Sequence, residues 1–121
     1  MKYVPKSAAK KFQNGPTASG WEWPVGDKDI DIAEATVNGD YPESGFVVNE
    51  ECKELLYIIS GEGTFVTKNN SVKLQPGDQV LIDKGELFRY ENATELVLLA
   101  ACAPAWRPEQ HKEIPKLNSK N

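Results

Sequence analysis

From residue 30 onward the chain is a succession of short apolar runs, each closed by turn-forming residues. The runs are IDIAEATV (30–37), GFVVN (45–49), ELLYIIS (54–60), GTFVT (63–67), SVKL (71–74), QVLI (79–82), ELFRY (86–90) and ELVLLAAC (95–102). They are rich in Val, Ile, Leu, Phe and Tyr, the residues that fit a pleated, half-buried surface. Between them stand NGDYPES, EECK, GEG, KNNS, QPGD, DKG and ENAT, each supplied with Gly, Pro, Asn, Asp or Ser. No stretch of helical length carries a helical period. Eight short strands joined by tight turns predict an antiparallel sandwich or barrel.

The flanks differ in texture. Residues 1–29, with FQNGPTASGWEWPVGDKD at their centre, read as an irregular arm. Trp21 and Trp23 flank Glu22, so in an extended chain both rings lie on one side. They are expected to anchor the arm on the barrel or on a second subunit, with a stacking platform for a ligand as the alternative. Residues 103–121 form a tail with three prolines in its first thirteen residues, which rules out a long helix or a central strand. Trp106 is expected to pack on the barrel, and KLNSKN at the end to fray.

Composition narrows the function. At 121 residues the chain is one domain, large enough to bury roughly 65% of its extended-chain surface. A net charge of -4 repels phosphates, and the densest basic stretch, KSAAKK (Lys6 to Lys11), reads as a solvated end rather than a nucleic-acid arm. No apolar run reaches the ~20 residues of a membrane span, and the start lacks the apolar segment of a signal peptide. The expectation is a cytoplasmic protein with no membrane and no nucleic-acid partner. The acceptor pattern Asn92-Ala93-Thr94 is then moot. Cys52 and Cys102 read as free thiols, one of them buried in a strand. The single histidine, His111, excludes a multi-histidine zinc site within one chain. A Ser-His-Asp triad would need this histidine from the proline-rich tail, which the reading disfavours.

One stretch carries more. In GDQVLIDKGELFRYEN, Gly77 is followed by five residues, then Asp83, Lys84, Gly85, two residues, Phe88, three residues and Asn92. This spacing resembles the second signature of the cupins, small jelly-roll barrels, with Asp83 in place of a proline and Phe88 in place of a metal-binding histidine. Glu54, six residues and Gly61 resemble the second half of the first signature, and LQPGD is also typical of the family. The histidines of that first signature are missing. Their places fall on Val48 and Glu50 with a three-residue gap before Glu54, or on Val47 and Asn49 with a four-residue gap.

The resemblance spans residues 30 to 102. It implies an all-β, antiparallel jelly-roll barrel of cupin type with irregular N- and C-terminal arms. Cupins that hold a metal use three histidines and a glutamate, and only the glutamate matches here. The expectation is therefore no metal and no cofactor; the alternative is a site rebuilt from Glu50, Cys52, Glu54 and His111. Metal-free cupins include epimerases that use a histidine and a tyrosine inside the barrel, a pairing without a barrel histidine to serve it in this reading.

Glu54 shares parity with Leu56 and Ile58, so it faces inward at the rim if they do. Desolvation beside Phe88 would raise its pKa toward neutrality, as a general base requires. The expected ligand pocket comprises Asn49, Glu54, Asp83, Phe88 and Tyr90; the expected acid–base candidates are Glu54, Tyr57 and Tyr90. Two functions stand open: a small-molecule-binding cupin, or a metal-independent isomerase, epimerase or lyase on a small polar or carbohydrate-like substrate. A metal-dependent enzyme with an unusual site is a third. The expected partners are a small-molecule ligand and a second copy in a homodimer.

Overall fold

A computed structural model describes residues 1–115. Nine strands make one curled antiparallel sheet: β1 (Lys10–Asn14), β2 (Ala18–Glu22), β3 (Asp31–Tyr41), β4 (Phe46–Asn49), β5 (Lys53–Thr67), β6 (Ser71–Leu74), β7 (Gln79–Ile82), β8 (Phe88–Ala103) and β9 (His111–Ile114). Single 3₁₀ turns occur at Lys6–Ala8 and Pro108–Gln110, and there is no α-helix among the described residues. β8 is the spine. β3 pairs along one edge and β5 along the other, from Asp31 opposite Cys102 and from Lys53 opposite Ala103. β7 and β6 extend the β5 side, β1 and β2 the β3 side, and β4 with β9 join at the start of β8. The architecture is the expected antiparallel jelly-roll barrel.

Two expected turns are instead bends within long strands. GEG lies inside β5 and ENAT inside β8. The inward positions run Leu56, Ile58, then Gly63, Phe65 on β5, so parity switches across Gly61. On β8 they run Phe88, Tyr90, then Ala93, then Leu96, Leu98, so parity slips twice. The register between these strands shifts at the same places. A strand that continued straight would turn its apolar residues out to water; the bulges keep them inside while the sheet curls. Asn92 and Glu95 take positive φ there, 53° and 43°. The backbone N–H groups of those two residues donate to Asp40 Oδ1 at 2.8 Å and Asn38 Oδ1 at 2.7 Å. The side chains of NGDYPES thus satisfy the groups that the bulges remove from the ladder.

The core lies between the inward faces of β3, β4, β5, β7 and β8. Val47, Leu56, Ile58 and Leu96 are 0% exposed. Each such aliphatic side chain contributes about 2 kcal/mol of burial, which explains how a short chain closes a barrel around a partly open interior.

The N-terminal arm corrects the expectation of an irregular segment. β1 and β2 form a hairpin, and β2 pairs with β3 from Ala18 opposite Val37 to Glu22 opposite Ala33. Their polar sequence reflects an edge position, where few side chains reach the core. The tail, expected to be irregular, contains β9, which pairs with β4. The expected fray at KLNSKN lies outside the described residues.

Gly61 is where the bend is tightest. Its φ is +83°, and a Cβ built there would stand 2.0 Å from the Glu95 carbonyl oxygen. Gly77 has a similar φ of +93° but open space around it. Gly77→Ala is expected to cost about 1 kcal/mol from backbone strain alone. Gly61→Ala is expected to cost several-fold more, because the β5–β8 contact must open. Urea unfolding of the two variants checks this; equal costs would contradict it.

Candidate active site

Two buried polar side chains organise the interior. Gln110 Oε1 accepts from the backbone N–H groups of Glu51, at 3.0 Å, and Cys52, at 3.3 Å. Its Nε2 therefore faces away, and donates to Asn49 Oδ1 at 3.2 Å. That fixes the Asn49 amide in turn: Oδ1 accepts and Nδ2 donates, the latter to Glu54 Oε1 at 2.8 Å. The same Asn49 Oδ1 lies 2.8 Å from His111 Nδ1. An acceptor oxygen there demands N–H on Nδ1, so in the neutral ring Nε2 is the acceptor. Tyr41 Oη lies 2.9 Å from Nε2 and donates to it. The result is one chain of polarity, from backbone amides through Gln110 and Asn49 to both Glu54 and the His111–Tyr41 pair.

The topology explains why these residues meet. Asn49 ends β4 and lies opposite His111 at the start of β9. Glu54 enters β5, in register with Cys102 of β8, which is in register with Asp31 of β3. Tyr41 ends β3 opposite Tyr90.

Asp31, Tyr41, Glu54 and His111 line a cavity of about 570 Å³, a volume suited to a small ligand. Phe12, Trp23, Trp106, Tyr41, Phe88 and Tyr90 form aromatic walls. Phe65, Phe88 and Tyr90 pack on one another with ring centroids 5.3 to 6.3 Å apart, which holds the inner wall rigid. A broader concavity at Gly61, Lys73 and Pro76 contains none of the buried titratable groups.

Burial sets the protonation states. Glu54 keeps one face on the cavity and is otherwise enclosed by protein. Desolvation pushes its carboxyl up from the ordinary 4.5 to about 7, against the lowering effect of the Asn49 hydrogen bond and with a further rise from the Asp31 charge. Desolvation lowers His111, so this histidine is neutral at pH 7. Tyr41 is pushed up to about 12, by burial first and then by the charges of Glu113 and Glu54. Burial likewise raises Tyr90 and both cysteines. The arrangement inverts the usual order, with a carboxyl that takes up a proton before the histidine beside it does.

Of the residues expected in the pocket, Glu54, Phe88 and Tyr90 line the cavity, and Asn49 sits behind Glu54. Asp83 and Tyr57 do not join them. Asp83 is exposed in the turn after β7, where its carboxylate accepts from Lys84 N at 3.0 Å. Tyr57 has the outward parity of β5 and is 42% exposed. Trp21 and Trp23 also part: Trp21 is 42% exposed under Lys11, while Trp23, beyond the end of β2, turns to the cavity.

Tyr41 and Asp31 are the members that sequence reasoning missed, and His111 entered it only as a ligand of the alternative metal site. Tyr41 lies within a segment rich in turn formers, and β3 runs on through two register shifts to reach it. His111 lies in the proline-rich tail, and its signal was only its being the sole histidine.

A model of the cupin domain matches residues 36–102, more than half of the chain. The chain belongs to the cupin family. No curated protein matches its sequence. Among solved structures, the Streptomyces nucleoside dehydratase Pac13 superposes with a TM-score of 0.82 at 14% identity, over 98% of this chain and 95% of that one. The polyketide cyclase RemF from Streptomyces resistomycificus gives 0.71 at 18% identity, over 98% and 88%. KdgF from Halomonas sp. gives 0.67 at 12%, over 88% and 97%.

The cupin fold settles which residues stand at the metal-ligand positions. Val47 and Asn49 share inward parity and are 0% exposed. Val47 lies opposite Phe88, and Asn49 bonds Glu54. The four-residue gap is the right alignment. The four positions then offer an alkyl group, an amide, a carboxylate and a phenyl ring, a donor set that does not fit a transition-metal ion. The alternative set of Glu50, Cys52, Glu54 and His111 is not gathered either: among the described residues no three His, Cys, Asp or Glu side chains form a cluster able to hold a metal.

The raised Glu54 pKa carries a cost in stability. A folded-state value of about 7 against 4.5 means that the folded protein binds the proton more tightly. Stability from this group is whole below pH 4.5 and is lost as pH rises through 7, by about 3 kcal/mol in all. Glu54→Gln keeps an acceptor for Asn49 and removes the charge. The variant is expected to be more stable than the parent at pH 8 by up to about 3 kcal/mol and to show little gain at pH 4.5. Thermal or urea unfolding at the two pH values checks this, and a destabilised variant at pH 8 would contradict it.

Proposed function

We propose that this cupin is a metal-independent acid–base enzyme, a lyase or isomerase that moves protons on a small hydroxyl-bearing molecule. The observation that supports it most is the pairing, in one cavity, of a carboxyl held near pH 7 with a neutral histidine that accepts from a tyrosine hydroxyl. Glu54 Oε1 is committed to Asn49, which leaves Oε2 to face the ligand. In its protonated form Glu54 gives a proton to a leaving or carbonyl oxygen. Tyr41 passes its own proton to His111 Nε2 as it takes one from the substrate. The reverse direction uses the same groups in the opposite protonation states. Aromatic walls exclude water and keep these interactions strong. That two superposable folds are named for a dehydration and a cyclisation supports the same reaction class.

This reading replaces Tyr57, which faces outward, with Tyr41 and His111 as partners of Glu54. Tyr90 remains a candidate for contact with the ligand, because it lines the cavity. A cupin that only binds its ligand would use the same walls without the proton inventory. No described helix is long and apolar enough to cross a membrane. The expected homodimer is also a proposal, supported by an outward apolar row of Ile32, Ala101, Leu55 and Leu81 across β3, β8, β5 and β7. Light scattering at micromolar concentration should return twice the chain mass; a monomer would contradict it.

Incubation with small hydroxycarbonyl compounds in deuterium oxide, followed by proton NMR, tests the enzyme. Wild type is expected to catalyse exchange or loss of water with a pH dependence centred near 7, the Glu54 value. Glu54→Gln and Tyr41→Phe are each expected to lower the rate by about a hundredfold or more while ligand-induced changes in tryptophan fluorescence persist. Rates unchanged in Glu54→Gln would overturn the reading. Binding without turnover across the panel would favour the non-catalytic alternative.

A further inference from the structure

The cavity's charge has a consistent sign. Its lining contains Glu22, Asp27, Asp31 and Glu54, and no lysine or arginine. Asp31 and Glu54 belong to one cross-strand row, with Cys102 between them on β8. One strand therefore separates the carboxylates, two inter-strand spacings or about 10 Å of backbone. Asp31 Oδ2 accepts from Trp106 N at 3.1 Å, its one hydrogen bond among the described residues. Among the described residues no lysine or arginine forms an ion pair with it. Beyond its burial, Glu22 acts on it as a like charge, and Asp31 in turn acts so on Glu54.

A second observation is independent of this charge. The same lining includes an aromatic and apolar set, Trp23, Pro24, Val25, Trp106 and Pro108, and the Trp106 backbone is in contact with Asp31. Both indoles are only half-buried, so ring surface stays available to a ligand. A third comes from the far end of the row. Glu54 is enclosed by protein, bonds Asn49 through one oxygen, and leaves the other without a protein partner. The cavity lining thus holds a desolvated carboxyl, Glu54, and a second carboxylate, Asp31, together with the indoles of Trp23 and Trp106.

We propose that the ligand of this cavity is an organic cation, a molecule with a protonated or quaternary nitrogen and no phosphate or carboxylate, whose charge lies against Asp31 between the Trp23 and Trp106 rings. Recognition by a carboxylate and aromatic faces together is the chemistry that selects ammonium groups. A phosphate or carboxylate on the ligand would meet four acidic residues and no lysine or arginine in the lining. Asp31 is then a specificity-determining residue. The proposal deepens the acid–base reading by naming the substrate's charge class, but it rests on the cavity alone and not on turnover.

The test uses three small probes of one shape. Choline carries a positive charge, 3,3-dimethylbutan-1-ol is its neutral isostere, and 3,3-dimethylbutanoate is its anionic analogue. Each is titrated into the full chain and followed by tryptophan fluorescence and NMR. Choline is expected to bind at least about tenfold more tightly than the neutral probe, and the anion least well. Asp31→Asn retains an acceptor for the Trp106 N–H, so the fold is expected to hold. It should bring choline and the alcohol to near-equal affinity. Equal affinities in the wild type, tighter binding of the anion, or no binding by any probe would overturn the proposal. So would unchanged discrimination in Asp31→Asn. Cation selectivity without Glu54-dependent turnover would remove the catalytic reading and leave this one standing. Turnover of an anionic substrate would do the opposite.

Discussion

Two backbone N–H groups, those of Glu51 and Cys52, set the polarity of the entire site. They fall in the turn between β4 and β5, where no sheet partner takes them, and as donors they need an acceptor oxygen. Gln110 supplies it, and from that point each group downstream has one permitted orientation. Its amide nitrogen must face Asn49 Oδ1, the Asn49 amide nitrogen must face Glu54, and His111 must carry its proton on Nδ1. With two donors on Asn49 Oδ1, both lone pairs are used. A half-satisfied network at this depth would cost more than an apolar core. None of its buried atoms lacks a partner, and the tail is thereby tied into the barrel as firmly as any strand.

The same construction explains how a desolvated carboxyl survives. Glu54 opens a strand whose next inward residues, Leu56 and Ile58, are fully buried. The apolar core anchors β5, and the anchored strand holds Glu54 in an environment that it would otherwise leave. Asn49 stabilises the ionised form through one hydrogen bond, which is insufficient to offset burial. Stability is given up at the position where proton transfer needs a carboxyl near neutrality. The absence of histidines from the family's ligand positions has the same consequence. At two of those positions Val47 and Phe88 put buried apolar side chains.

The barrel was legible because its evidence is local and repeated. Alternation, turn chemistry and two glycine-spaced signatures all point one way. Glu54 was legible because its parity follows from Leu56 and Ile58 in the same strand. What escaped the sequence depends on distant pairing. Asp83 matches a signature position but only closes a turn, and Tyr57 lies in the right strand with the wrong parity. His111 belongs to the site solely because β9 adds to the edge of β4. Tyr41 belongs because two register shifts carry β3 through a segment composed like a turn. Edge-strand addition and bulges are set by tertiary contacts, and their sequence cue is weak or absent. The β1–β2 hairpin escaped for the same reason: it buries little, so its composition is that of a loop.

The account rests on the protonation of one carboxyl. The most direct measurement is the pH titration of the Glu54 side-chain carboxyl carbon by carbon-detected NMR on the labelled protein, with Glu54→Gln to assign the resonance. The structure predicts a midpoint near 7, well above the value of about 4.3 for a glutamate in a model peptide. A midpoint in that ordinary range would mean that Glu54 is solvated, and the acid–base site built around it would fall.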